Sequence, residues 1–527
     1  MNNKPLNDKP VNWTIMVYIS ADDVLANFAI DSLNQFRSAA TDVGDKVVAL
    51  FDPNDGSGKA FRYSFEIKEK DALVNLAGEK SEEEKIQEVP LSFFGEDIDA
   101  LNMADPKTLT DFINSATGPL DVPKDRNYCL ILWGHGTELL LDQDPGIKGK
   151  RYLTPAKLKR ALEGTGFSEK NKLDIVAFDA CSMSMIELAS ALQDRVRFMI
   201  ASQDEVPDVS FPYGKILKEL RGHGKDPKEV CRLIPEIYLQ SFRDYLVTTR
   251  NGVQEIMLSS LNLEEIGNIT GPVSKLAGLL LRSAGDEDLS NAIVDARKSS
   301  RDFVLGLFVD LSDFCEKLSN RLEKNVFQDK EYSRELKNAC VQIRDAIKIP
   351  DATETPDTFK SGKYVTIANE TRENVKDCHG VSIYFPYSVQ EDENQQTKRL
   401  LGDNETGIVN LPLVKGGGHN TAKARNGRIE ELEADFEQLP FFKDDGWGAF
   451  IKQGWSLVLA RRFPDKLDLH YSSEQVARNL SAALGRGPGG PHSGGGAGAT
   501  SEEIRRLQKQ NEDLTDELER LALKPPA

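Results

Sequence analysis

The sequence predicts an α/β protein: a three-layer α/β/α sandwich around a mixed, mostly parallel sheet, followed by a second α+β unit and a short C-terminal heptad helix. Three observations predict this. Short apolar runs alternate with helical patterns from residue 13 to about residue 201. Two of these runs, 128–133 and 174–178, lack the alternation of a half-exposed strand and read as buried strands of a parallel sheet. Far downstream, a Gly-rich stretch at 485–500 is followed by Ile504, Leu507, Asn511, Leu514, Leu518 and Leu521, spaced alternately by three and four.

Trp13 to Ile19 is a first strand, and Asp22 and Asp23 after it are placed to cap a helix with Phe28, Ile30, Leu33 and Phe36 on its apolar face. Lys46 to Phe51 is a second strand, stopped by the turn residues 52–56. Phe61 to Ile67 alternates as an edge or hairpin strand does, whereas 69–90 reads as charged and helical or loose. Asp105 is the expected N-cap of a helix with Pro106 at its first position. The runs ending at Gly134-His135-Gly136 and at Asp179-Ala180-Cys181 follow, separated by a turn-rich, cationic loop at 142–151. A helix with Met185, Leu188 and Leu192 on its packing face comes next, then a strand at 196–201 that opens onto an acidic loop at 202–213. Helical patterns dominate 215–350, strands are expected at 364–368 and 381–385, and a helix around Trp447 spans 441–451.

The expected organisation is a flexible start (1–12), a catalytic domain (13–222), a second region (223–452), an amphipathic tail (453–484), a linker (485–500) and a coiled-coil helix (501–523). The chain has 527 residues, enough for two or three units, with 39% hydrophobic and 28% charged residues, as in a soluble globular protein. A net charge of −18 disfavours nonspecific nucleic-acid binding and suits cationic ligands. The six cysteines, at 129, 181, 231, 315, 340 and 378, form no CxxC pair, which argues against structural zinc and against a disulfide framework. No apolar stretch is long enough for a signal-peptide core or a membrane span. The chain therefore reads as cytoplasmic, or as secreted where a signal peptide has been removed.

His135 and Cys181 end neighbouring buried strands, and in parallel sheets functional residues collect at the strands' carboxyl ends. A thiolate is a strong nucleophile, and a nearby imidazole raises its fraction and shuttles the proton. The glycines beside His135 let a substrate approach the backbone, so the N–H groups of Gly136 and Cys181 are candidate oxyanion donors. This is the outline of a cysteine protease site.

With these residues in view, the chain resembles the clostripain family of cysteine peptidases, whose core is shared with caspases, gingipains and separase. The resemblance runs in order through Trp13–Tyr18, Leu101–Pro106, Leu130–Gly136, Phe178–Met183, Phe308–Phe314 and Gly380–Pro386, and covers about residues 13–452. It implies a caspase-like fold, His135 as general base and acid, and Cys181 as the nucleophile. Asp179 would pair with a P1 Arg or Lys, which a carboxylate at a pocket floor favours. Relatives commonly carry a Pro-Gly-Asp-Gly turn where this chain has Pro207 to Tyr213, leaving Asp208 or Asp204 as a second pocket carboxylate. Family members can mature by self-cleavage between the His and Cys strands, and Lys148, Lys150 and Arg151 supply P1 residues there. Calcium dependence occurs in some members; no cofactor is required by the dyad chemistry, and no EF-hand spacing is present.

The expected partners are protein or peptide substrates, with neither nucleic acid nor membrane, and residues 501–523 offer self-association or docking to a protein partner. That segment reads equally as an isolated amphipathic helix or as one added to the natural chain. The competing function is a latent or noncatalytic caspase-like scaffold whose C-terminal segment recruits a partner or gates activity.

Overall fold

The computed structural model describes residues 12–21, 25–39, 46–52, 60–66, 87–89, 101–118, 122–124, 126–137, 139–140, 152–207, 209–223, 226–242, 248–249, 252–253, 256–283, 286–303, 307–324, 330–348, 365–371, 378–386, 434–444, 446–455 and 458. Its centre is a sheet of strands β1 (Asn12–Ser20), β2 (Lys46–Asp52), β3 (Phe61–Glu66), β4 (Gln87–Val89), β5 (Arg126–Gly134), β6 (Leu173–Asp179), β7 (Val196–Ala201), β8 (Met257–Asn262) and β9 (Thr366–Thr371). The spatial order is β9-β8-β7-β6-β5-β1-β2-β3-β4. The run from β7 to β2 is parallel. Antiparallel pairs close both ends, β8 with β9 on one side and β3 with β4 on the other. The chain goes from β1 to β2 on one side and returns to β5 on the other, so the sheet has a topological switch point between β1 and β5.

Alternation along each central strand divides the interior into two cores. Odd positions of β1 (Trp13, Ile15, Val17, Ile19) join Cys129, Ile131 and Trp133 of β5 and Ile175 and Ala177 of β6 on one face. Helices α1 (Ala26–Ala39), α5 (Tyr213–His223) and α6 (Pro227–Ser241) cover that face. Met16, Tyr18, Leu130, Leu132, Val176 and Phe178 face the other way. There they meet helices α2 (Pro106–Thr117), α3 (Pro155–Glu163), α4 (Ile186–Leu192), α7 (Gly267–Ser283), α8 (Glu287–Ser299), α9 (Leu311–Lys324) and α10 (Lys330–Ile347). Every residue of β6 is buried, because helices cover both faces. α2 starts as its sequence dictates: Asp105 accepts the Lys107 N–H, and Pro106 occupies the first turn.

The division expected at residue 222 does not separate two cores. β8 and β9, both beyond it, extend the same sheet, and α7 to α10 share the core beneath it. The smaller sheet of residues 302–303, 308–310 and 382–384 packs on that same core through Phe303, Phe308, Val309, Ile383 and Tyr384. The sequence reading also missed β4, three residues inside the stretch taken as helical or loose. Ile30, expected on the apolar face of α1, is 47% exposed. The helix expected over 441–451 is broken: one short helix spans Pro440–Asp444, and Gly446, at φ 84°, precedes another that begins at Trp447 and runs into a π-helical turn at 450–455. Asp22, Asp23, the linker and the heptad segment lie outside the described residues. Among the described residues, no helix is long and apolar enough to cross a membrane.

Buried polar contacts seat the C-terminal region. The Trp447 and Trp455 indole N–H groups donate to the carbonyls of Tyr384 and Pro386 at 2.7 Å, and Arg297 Nε donates to that of Phe385 at 2.6 Å. Asp435 accepts from Thr154, the N-cap of α3, and from the Ala156 N–H. Glu187 Oε1 accepts the Tyr384 N–H at 2.9 Å, while Oε2 has no hydrogen-bond partner among the described residues.

Burial pushes the Glu187 carboxyl up to about 8, against the pull of the Tyr384 N–H and its own N–H. The folded state thus holds this proton more tightly than the unfolded chain does. Its stabilising contribution is complete below the unfolded value of roughly 4.3 and is lost as pH rises towards the folded value. Glu187→Gln keeps the acceptor and removes the ionisation, so it is expected to stabilise the protein at pH 8 by on the order of 4 kcal/mol. Thermal melts should show that advantage shrinking to nothing near pH 4.5 (roughly the unfolded Glu pKa); a gap that does not change with pH would contradict the assignment.

Candidate active site

β5 and β6 pair in parallel with Trp133 opposite Asp179. His135 and Cys181 lie two residues beyond these partners, so they leave the sheet at the same height on strands roughly 5 Å apart. β5 borders the switch point, where the crevice beyond the strand ends is the default ligand site of an open α/β sheet. The opposite ends of the strands are fastened for stability: Asp174 accepts the Tyr128 N–H and pairs with Arg197 of β7 at 2.9 Å.

At the upper edge the two strand ends touch. A Cβ built on Gly136 would lie 2.2 Å from the Cys181 carbonyl oxygen and 2.5 Å from its nitrogen, closer than any side chain can come to backbone. Only glycine permits this approach. His135 itself is exposed, while Cys181 is partly buried. Directly after the thiol, Ser182 is held in the left-handed region at φ 59°, where its N–H donates to the Asp204 carbonyl at 3.0 Å. Such a conformation costs a non-glycine residue on the order of 1 kcal/mol and persists only where its surroundings impose it.

The loop between β7 and α5 forms the wall next to the thiol. Val206 donates its N–H to Cys181 Sγ at 3.3 Å. An N–H aimed at sulfur favours the thiolate over the thiol. Trp133 Nε1 donates to Ser210 Oγ at 2.6 Å, and Ser210 is, among the described residues, the other non-glycine residue with positive φ, at 67°. The backbone turn that glycines would supply is thus made by a serine fastened to a strand tryptophan.

Asp179 is buried, and its Oδ2 accepts both the Phe211 N–H at 3.0 Å and the Tyr213 hydroxyl at 2.5 Å. Burial pushes its carboxyl up to about 7 despite these two donors. It ties the far end of the wall loop to β6, a role that its expected P1 contact did not include. Asp204, expected as a pocket carboxylate, is spoken for differently: Oδ1 accepts the Glu205 N–H at 2.9 Å, and Oδ2 faces Arg301 at 3.7 Å. Asp208, Lys148, Lys150 and Arg151 lie outside the described residues. No group of three or more His, Cys, Asp or Glu side chains disposed to hold a metal ion occurs among the described residues, so no calcium site is assigned to them.

Sequence reasoning placed His135, Gly136, Cys181 and the wall loop at one edge, and the structure brings them together. It missed Val206, Ser182 and Gln203, whose contribution comes from backbone direction or from partners about a hundred residues away.

A thiol and an imidazole thus stand at adjacent strand ends, over a sheet enclosed by helices, as a thiol-dependent hydrolase requires. The family model described as the clostripain family (peptidase C11) matches residues 17–454. The chain belongs to that family, and is therefore a cysteine peptidase. Among solved structures, it is similar to an inactive zymogen C11 protease from Parabacteroides distasonis at 15% identity and a TM-score of 0.48, covering 83% of this chain and 99% of that one. It is also similar to a secreted C11 cysteine protease from Bacteroides thetaiotaomicron in complex with an irreversible peptide inhibitor, at 18% identity and a TM-score of 0.43, covering 74% of this chain and 96% of that one. The comparison with curated proteins gives no match.

Gly136→Ala should push the His135 segment away from Cys181, because the atoms it meets are backbone and cannot rotate aside. A loss of peptide turnover of about a hundredfold is expected, as for displacements near 1 Å in other sites. Turnover within about threefold of the unsubstituted enzyme would show that the two strand ends need not touch.

Proposed function

We propose that this peptidase cleaves after Arg or Lys through a Cys181–His135 dyad, and that it processes its own chain in the 142–151 loop. The observation that carries the dyad is the β5–β6 register, which sets the imidazole and the thiol at one height with Gly136 against the Cys181 backbone. The Cys181 thiolate attacks the scissile carbonyl carbon, forming the C–S bond. His135 gives its proton to the leaving amine as the C–N bond breaks, then takes a proton from the water that hydrolyses the thioester.

The N–H groups of Cys181 and Gly136 are the donors for the oxyanion. The Ser182 N–H is committed to the Asp204 carbonyl, which supports this choice over the residue after the nucleophile. For the P1 side chain, Asp179 is the carboxylate at the pocket floor, with Asp208 or Asp204 as a second; Arg301 lies 3.7 Å from Asp204. The dyad chemistry uses protein groups alone, so chelation of calcium is expected to leave turnover unchanged. Residues 501–523 would serve for self-association or for docking a protein partner; deleting 486–527 should alter oligomer size, and an unchanged size would remove that role.

Short fluorogenic peptides with Arg, Lys, Asp or Ala at P1 test the reading, with Cys181→Ala as control and intact mass recorded alongside. Turnover confined to Arg and Lys and lost in the variant is expected, with a cut mapping to 142–151; an active enzyme that stays one chain would rule out self-processing. With Asp179 as P1 partner, the preference for Arg over Ala should strengthen as pH rises through about 7, where its carboxyl ionises. A preference that stays flat from pH 6 to 8 (about one unit either side) would assign the basic pocket elsewhere.

A further inference from the structure

We propose that Asp310 is a positioning residue for the thiol: through Gln203 it fixes the start of the wall loop and so holds the Val206 N–H on the Cys181 sulfur. The inference rests on Cys181 being the reactive thiol.

Asp310 is completely buried at the end of the strand that precedes α9. Its Oδ1 accepts the Asp313 N–H at 2.8 Å and lies 3.0 Å from His379 Nδ1. Its Oδ2 accepts the His379 N–H at 2.6 Å and Gln203 Nε2 at 3.1 Å. A carboxylate suits four donors on two oxygens; an amide would turn its own N–H groups on two of them.

Gln203 is 1% exposed and uses both ends of its amide, because Oε1 accepts the Gly380 N–H at 2.7 Å. It is the second residue past β7, and the segment it begins is short. The Ser202 carbonyl accepts the Ser184 N–H, the Asp204 carbonyl accepts the Ser182 N–H, and Val206 reaches Sγ three residues after Gln203. One end of this segment is therefore fastened to a hub more than a hundred residues away in sequence, and the other touches the sulfur. Releasing Gln203 frees Val206 to withdraw, and the thiolate loses a donor.

Charged groups surround the hub on several elements. Asp313, Glu316 and Lys317 lie on α9, with Lys317 3.3 Å from Asp313. Arg344 of α10 pairs with Glu316, and Arg301 stands between Asp204 and the Asp313 carboxylate that accepts its N–H. Burial alone would lower the His379 pKa, but Asp310, Asp313 and Glu316 outweigh it and leave it raised.

The test is the second-order rate of Cys181 alkylation by iodoacetamide in the full chain from pH 5 to 9, with the modified residue located by mass and melting temperatures recorded. Gln203→Glu sets a second carboxylate against Asp310. It should slow alkylation about tenfold at pH 8 and move its midpoint to higher pH. On acidification the introduced carboxyl takes a proton and donates it to Asp310, so the ratio of variant to wild-type rate should climb back towards one. A packing defect alone would not reverse with pH. His379→Ala removes a partly exposed ring and keeps the backbone donor, so it tests the hub without risking the fold; about twofold to threefold slowing is expected. Variants with the wild-type rate profile would overturn the inference while leaving the peptidase intact. A wild-type Cys181 that resists alkylation throughout would overturn the thiol assignment and this inference with it.

Discussion

Everything at the site depends on the parallel pairing of β5 with β6 and on the contact that continues it beyond the sheet. Pairing fixes the height at which each strand ends, and the switch point beside β5 opens a crevice there. Hydrogen bonding in a parallel pair stops where the strands diverge, yet here Gly136 and Cys181 remain in backbone contact past the last paired residues. That contact turns two flexible strand ends into one surface. It also explains why a glycine follows the histidine: the space a Cβ needs is filled by the Cys181 peptide.

The second half of the chain completes this surface from behind. Ser184 donates to the Gly380 carbonyl, and Ser382 donates through both its N–H and its hydroxyl to the Ser184 carbonyl. Glu187 and Gln203 extend the same seam on either side. These are buried polar contacts, whose net contribution to stability is modest while their geometry is demanding. Their position behind the nucleophile turn suits specification of shape more than gain in free energy. Ser182 and Ser210 carry the cost of that shape as left-handed backbone, one directly after Cys181 and one in the wall loop.

The core strands, the capped helix α2 and the meeting of His135 with Cys181 at one sheet edge were legible because each is local: an apolar run, an Asp-Pro start, a His or Cys at a run's end. Asp105 shows how far a local signal reaches, since cap and first-turn proline both stand as read. What was not legible depends on distant partners. Nothing in 257–262 or 366–371 says that these strands add to the first sheet and not to one of their own, because edge addition is decided by what covers the sheet. β4 is three residues long and exists through its pairing with β3. Nothing near Asp204 in sequence announces that Arg301, ninety-seven residues on, lies 3.7 Å from its carboxylate. Nor does the sequence show how Pro207 to Tyr213 is held without the turn glycines of relatives; Trp133 supplies a constraint through Ser210.

Asp179 shows why a site carboxylate resists a single label. It is buried at the end of β6, two residues before Cys181, and anchors Phe211 and Tyr213, so the wall loop is held by the same group that the P1 reading assigns to substrate. Burial leaves it poised near neutrality, with only one oxygen engaged by these two donors. On that reading a cationic side chain arriving in the pocket stabilises the ionised form, and an ionised Asp179 is a stronger acceptor for the Phe211 N–H and the Tyr213 hydroxyl. Substrate charge and wall rigidity then reinforce each other: the correct P1 residue tightens the loop whose other end carries Val206 to the sulfur. A neutral P1 residue leaves the carboxyl near its titration point and the loop with weaker anchors. Discrimination among substrates would therefore appear partly in the rate of the chemical step as well as in binding, because the loop's two ends act on the pocket and on the nucleophile.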